Sequence, residues 1–129
     1  MTFDAQTVKG DAGSYRLVLS GRLDNAATPM LNARIAAVLE DPDARVLRME
    51  LGQLIYISSS GLGAFAVARK MIVERGGAMV IIGAQPTITK VFEIVKLVPK
   101  EILVATPEEA DAYLSALLKQ TESAGGAGI

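Results

Sequence analysis

Two aliphatic runs constrain this chain more than any other feature: Val46-Leu47-Arg48-Met49-Glu50-Leu51 and Ala78-Met79-Val80-Ile81-Ile82. Each has the length of a strand; the first, carrying Val46, Leu47, Met49 and Leu51, reads as central and mostly buried, and the second reads as buried. Between them lies a stretch of helical spacing that ends at Gly76-Gly77, a typical helix stop. Strands buried in a sheet and joined by a helix are the arrangement such a pattern allows.

The rest of the chain repeats the alternation. A first strand is expected within residues 2–9 and a second over 14–20, with Asp11-Ala12-Gly13 as the turn between them. Gly21-Arg22-Leu23-Asp24-Asn25 breaks the strand pattern. From Ala26 the residues Ala27, Leu31, Ile35, Val38 and Leu39 fall on one helical stripe, with Pro29 in the first turn, where a missing N–H does no harm. Asp41-Pro42-Asp43 closes that helix, and Gly52-Gln53 interrupts the next strand before Leu54-Ile55-Tyr56-Ile57. A second helix is predicted over about 60–75, and a third from Gln85-Pro86-Thr87 to about Val95. A short strand follows at Ile102-Leu103-Val104, then a last helix capped by Thr106-Pro107-Glu108-Glu109 and ending near Lys119. The predicted order is β-β-α-β-α-β-α-β-α. It describes an α/β domain over residues 1–120, a mixed sheet of about five strands with four helices. Residues 121–129, rich in Ser, Ala and Gly, read as a flexible C-terminal tail.

Composition narrows the chemistry. The chain has no cysteine and no histidine, which removes disulfides, the usual soft-metal ligands and histidine-based catalysis. A net charge of −1, with both signs spread along the chain, offers no polyanion surface, so nucleic acid is not an expected partner. The N-terminus lacks a signal-peptide pattern, and Arg69 and Lys70 cut the densest apolar run. The expected location is therefore cytoplasmic, without insertion into a membrane.

The most informative segment is Leu54-Ile55-Tyr56-Ile57-Ser58-Ser59-Ser60-Gly61-Leu62-Gly63, where an apolar strand runs into three hydroxyls at the start of a helix. The leading N–H groups of a helix lack intrahelical partners and favour anions. One serine suffices as an N-cap; three exceed that need. Gly61 and Gly63 would let a bulky partner approach the backbone. Gly61-Leu62-Gly63-Ala64-Phe65-Ala66 also matches a variant dinucleotide fingerprint. The following strand, Val80-Ile81-Ile82-Gly83, lacks the carboxylate that would hold the ribose. A serine hydrolase would need a base; there is no histidine, and Lys70, Lys90 and Lys96 lie far along the chain from the serines.

Gly21-Arg22-Leu23-Asp24, Ser58-Ser59-Ser60-Gly61-Leu62-Gly63, Gly76-Gly77 and Val91-Phe92-Glu93 together resemble the STAS family of bacterial anti-sigma-factor antagonists, over about residues 3–118. The resemblance implies a partner-switching module, not an enzyme. The unmodified form binds a serine kinase that doubles as an anti-sigma factor. That kinase uses ATP and Mg²⁺ to phosphorylate a serine at the start of the second helix, and a metal-dependent serine phosphatase restores the binding form. By position the acceptor is Ser59, with Ser60 and Ser58 as alternatives. The partner surface comprises Asp24, Ser58, Ser59, Ser60, Gly61, Leu62, Gly63, Val67 and Met71. No catalytic residue, metal or cofactor is expected in the chain itself. Ser58 stands where many members carry Asp, which removes one negative charge but keeps a capping oxygen. Val95-Lys96-Leu97 stands where members often have a small residue and Gly.

Some of these residues have plainer roles open to them. Asp24 either meets the partner and positions the hydroxyl, or caps the first helix. Val67 and Met71 fall off the core stripe of Leu62, Phe65, Ala66 and Ile72; they form an adaptable apolar patch or pack under a neighbouring helix. Arg69, Lys70 and Arg75 read as solvated helix positions. The alternative function is a STAS subunit of a membrane transport complex, such as a phospholipid transporter, that works without phosphorylation.

Overall fold

The computed structural model describes the backbone of residues 2–127 and the side chains of that span except 118 and 120–127. Its elements are β1 (Asp4–Lys9), β2 (Ser14–Leu23), α1 (Thr28–Leu39), β3 (Val46–Ile57), α2 (Ser59–Glu74), β4 (Ala78–Ile82), α3 (Pro86–Val95), a 3-10 turn (Lys100–Ile102), β5 (Leu103–Val104) and α4 (Pro107–Ala127). The strands form one mixed sheet in the order β1-β2-β3-β4-β5, antiparallel only between β1 and β2. The predicted class and element order are those observed.

The layering follows from the connections. Three successive parallel crossovers step across the sheet in one direction, and right-handed crossovers of that kind place their helices on one face. A single core accordingly joins Leu31, Ile35 and Val38 of α1, Leu62, Phe65 and Ile72 of α2, and Ile88 and Phe92 of α3 to the sheet. α4 alone covers the other face, where Ala110 and Leu114 pack on Ala78, Val80 and Ile82. β4 is thus buried on both sides, Met79 and Ile81 facing one layer and its other three residues facing the second. This double burial is why its sequence is a continuous aliphatic run.

Three boundaries differ from the sequence pattern. β2 does not stop at Ser20: Gly21 takes φ +84°, a left-handed conformation that suits glycine, and the register with β3 shifts there, so pairing resumes and reaches Leu23↔Ile57. β3 likewise runs through Gly52-Gln53 without a break. Its first five residues pair with β4. Its second half continues beside β2 alone among the strands, which carries Ile57 and the following serines beyond the end of β4. α4 extends to Ala127, past the end expected near Lys119. Of the expected tail over 121–129, the side chains and residues 128–129 lie outside the described residues. At the end of α3 the left-handed position is filled by Lys96, φ +59°, where such a C-terminal stop favours glycine.

The end of the molecule remote from the serines is tied by polar contacts. Arg75, read from sequence as solvated, instead donates from the C-cap of α2 to the carbonyls of Leu39 and Asp41 at 2.8 and 2.9 Å, satisfying acceptors at and just past the end of α1. Tyr15 donates its hydroxyl to Asp41 Oδ2 at 2.5 Å, and the Asp43 amide donates to Oδ1 at 2.9 Å. The Tyr15 hydrogen bond is the largest reason that Asp41 titrates below the ordinary carboxylate value, with the Asp43 amide, Lys9 and Arg75 adding to it; the same bond raises Tyr15. A depressed carboxylate stabilises the fold above its unfolded pKa and loses that contribution as pH falls through its folded pKa. Asp41→Asn is therefore expected to lower the urea midpoint at pH 7 and to shrink the further drop between pH 5 and pH 3. An unchanged slope across that acid interval would remove Asp41 from the acid response.

Candidate functional site

The serines sit where β3 hands the chain to α2. Ile57 is still in the sheet, and Ser58 remains extended at φ −85°, ψ 170°, as an N-cap does. The Ser58 amide donates to the Leu23 carbonyl at 2.8 Å, and its hydroxyl accepts from the Gly61 amide at 3.2 Å. Ser58 is buried. The cap therefore falls two residues before Ser60, where the helix was expected to begin. Ser58→Ala is expected to cost about 1 kcal/mol in urea unfolding, the usual loss of an N-cap oxygen.

Ser60 is held by three neighbours. Its hydroxyl donates to Asn25 Oδ1 at 2.8 Å and lies 2.8 Å from Thr28 Oγ1 and 3.1 Å from Ser58 Oγ. These bonds fasten the turn before α1 to the first turn of α2. Ser59, the first residue of α2, is exposed, and its hydroxyl makes no hydrogen bond among the described residues. The three adjacent serines thus differ sharply: one buried cap, one networked hydroxyl and one free hydroxyl at a helix N-terminus.

The N-cap of α1 is Ala27, without a side-chain cap bond, and Asp24 lies in the turn before it. Asp24 Oδ1 accepts from the Ala27 amide at 2.9 Å, and its carbonyl accepts from the amides of Ala27 and Thr28 at 3.1 Å each. It shapes the turn that carries Asn25 and Thr28, and its link to the serines runs through them. Asn25 and Thr28 went unrecognised in the sequence, because periodicity places Thr28 in a helix start but cannot show what that start lies against. The pairing of Arg22 with Tyr56 across β2 and β3 was not foreseen either; the guanidinium stacks 4.2 Å from the ring centroid.

The two glycines do different work. A Cβ on Gly61 would lie 2.9 Å from the Leu23 side chain and 3.1 Å from that of Ile57, so this residue lets α2 approach the sheet. A Cβ on Gly63 would meet nothing within 4 Å. Gly61 and Leu62, both expected at a partner surface, are buried and face the core. Val67 and Met71 do stand outward, 58% and 47% exposed. They border a groove of about 370 Å³ between α1 and α2, floored by Ile35, Ala64 and Ala68, with Ser60 at one end. Of the expected site residues, Ser60, Gly63, Val67 and Met71 line this groove, and Ser59 is exposed next to Ser60 in the chain. Among the described residues no three Asp or Glu converge as a metal site, and no helix is long and apolar enough to cross a membrane.

The STAS domain model matches residues 4–110, and the chain belongs to that family. Among curated proteins it is 34% identical over 76 residues to BtrV of Bordetella bronchiseptica, provisionally named an anti-sigma factor antagonist; the match spans 59% of this chain and 65% of BtrV. It is 26% identical over 97 residues to the anti-sigma-B factor antagonist of Listeria monocytogenes, spanning 75% of this chain and 84% of that one. Among solved structures it resembles the anti-sigma factor antagonist SpoIIAA in its unphosphorylated form, with a TM-score of 0.75 and 22% identity over 88% of this chain and 97% of that chain. The phosphorylated form of the Bacillus SpoIIAA superposes with a TM-score of 0.68, at 24% identity over 84% of this chain and 97% of that chain.

Proposed function

We propose that this chain is an anti-sigma-factor antagonist of the partner-switching kind, released from its partner by phosphorylation of Ser59. The partner is a serine kinase that doubles as an anti-sigma factor, and a metal-dependent serine phosphatase resets the switch. The observation that carries the reading is the contrast among the three serines: Ser59 alone combines exposure with an unengaged hydroxyl. The names of the relatives support the same role.

The physics of the site fits a switch that needs no refolding. A phosphate on Ser59 adds about −1.5 to −2 charges at a helix N-terminus, where the folded domain tolerates an anion. A partner seated on the neutral groove beside it would have to bury that charge, and an uncompensated buried ion costs several kcal/mol. A near-complete switch requires about 5.5 kcal/mol of discrimination, which repulsion of this kind supplies. The Ser60 ties to Asn25 and Thr28 hold the surrounding surface in place while the charge changes.

Fragmentation mass spectrometry on protein from its native cells, resolving Ser58, Ser59 and Ser60, tests the reading. Phosphate on Ser59 is the expected result. Phosphate on Ser60 or Ser58 would move the acceptor. Its absence under several growth conditions, with phosphatases inhibited, would favour a role in a membrane transport complex without phosphorylation.

A further inference from the structure

Toward the far end of α2 from Ser59, beginning at Arg69 roughly 15 Å along the helix axis, a cavity of about 350 Å³ opens between α2, the start of β4 and α4. Its volume lies within the range of about 300–1,000 Å³ usual for small-molecule sites. Val46 and Met79 of the sheet, Val73 of α2, Ile102 and Leu114 supply aliphatic walls, and among the described residues the only charged side chains at its lining are Arg45 and Arg69. Arg45 is already engaged, donating to the carbonyls of Pro42 and Ala44 at 2.8 and 3.0 Å. Arg69 is half-buried and makes no ion pair or hydrogen bond among the described residues. A cation drawn partly out of water beside an apolar hollow lacks the compensation that partly buried charges usually find.

We propose that this cavity binds a single-chain aliphatic carboxylate, with the carboxylate on the Arg69 guanidinium and the chain against Val46, Val73, Met79 and Leu114. The anion supplies the paired hydrogen bonds a guanidinium favours. The tail removes apolar wall from water. With two arginines and no carboxylate at the lining among the described residues, the charge selects an anionic head over a cationic one. The site lies at the opposite end of the sheet from Ser58, so occupancy leaves the phosphorylation surface uncovered, and the proposal stands or falls apart from the proposed function.

The test is calorimetric titration of the full chain with dodecanoate below its micelle concentration, paired with methyl spectra of Met79 and Ile102. The expected result is one saturable site, with both methyls shifted and the amides of residues 58–63 unmoved. Arg69→Gln is expected to weaken binding roughly tenfold, the loss of one charge-assisted pair. Val73→Phe, which narrows the hollow, should weaken it as well. Circular dichroism confirms that each variant folds. Dodecanol, with the tail but no charge, should bind as weakly as dodecanoate does to Arg69→Gln, and acetate not measurably. No saturable heat from dodecanoate would overturn the proposal. So would equal binding by Arg69→Gln, or shifts centred on Val67 and Met71 instead of Met79 and Ile102.

Discussion

Ser59→Asp is expected to weaken binding to the kinase partner by roughly a hundredfold or more, corresponding to about 3 kcal/mol for burying one unpaired charge. Ser59→Ala should bind like the unmodified chain and accept no phosphate. Both variants should remain folded, for a structural reason. The Ser59 hydroxyl makes no hydrogen bond among the described residues, so Ala there should change stability by no more than about 0.5 kcal/mol. Asp at the first helical position should add about 0.3–1 kcal/mol through the helix dipole. Urea unfolding separates these small shifts from the large change in partner affinity. If Ser59→Asp binds as tightly as the parent, local repulsion is not the switch. If Ser59→Ala still takes up phosphate, the acceptor is a neighbour.

Phe65→Ala carries the largest expected loss of stability, about 3–5 kcal/mol, against a total of about 5–15 kcal/mol for a domain of this kind. Phe65 is wholly buried, and its ring meets Phe92 edge-on at a centroid distance of 5.3 Å. Most of the core is aliphatic, because the chain has only three phenylalanines and no tryptophan. Phe92 and Ile88 are the buried residues of α3, so the Phe65 ring contacts one of its two core anchors. The loss should therefore appear first as faster amide exchange over residues 88–95, and then as a lower urea midpoint. A loss under about 1 kcal/mol with unchanged exchange in α3 would mean that the core collapses around the deletion.

What could be read from the sequence, and what could not, divides along physical lines. β4 was legible because burial on both faces leaves no polar position, and α1 because Leu31, Ile35 and Val38 repeat at helical spacing. The run of β3 through Gly52-Gln53 was not, because pairing with β2 sustains a strand that local propensity would end. The extension of β2 escaped notice for a related reason: a glycine read as a breaker serves instead as a shifted-register position. At the site, the motif marked the serines, but the difference among Ser58, Ser59 and Ser60 arises from contacts with Leu23, Asn25 and Thr28, some thirty residues earlier in the chain. Arg75 shows the same limit: a cation at a helix end reads as solvated until the carbonyls beside it are known.

The unequal surroundings of Gly61 and Gly63 let a mutational library tell folding from recognition with neighbouring codons. Substitutions at 61 push against Leu23 and Ile57, so they should deplete variants from a screen for cellular abundance, whatever partner is present. Substitutions at 63 extend into open space and replace a poor helix former, so abundance should hold or improve. Any penalty at 63 should surface only when the screen demands complex formation. The side-chain size tolerated there would then measure how closely the partner's surface approaches α2.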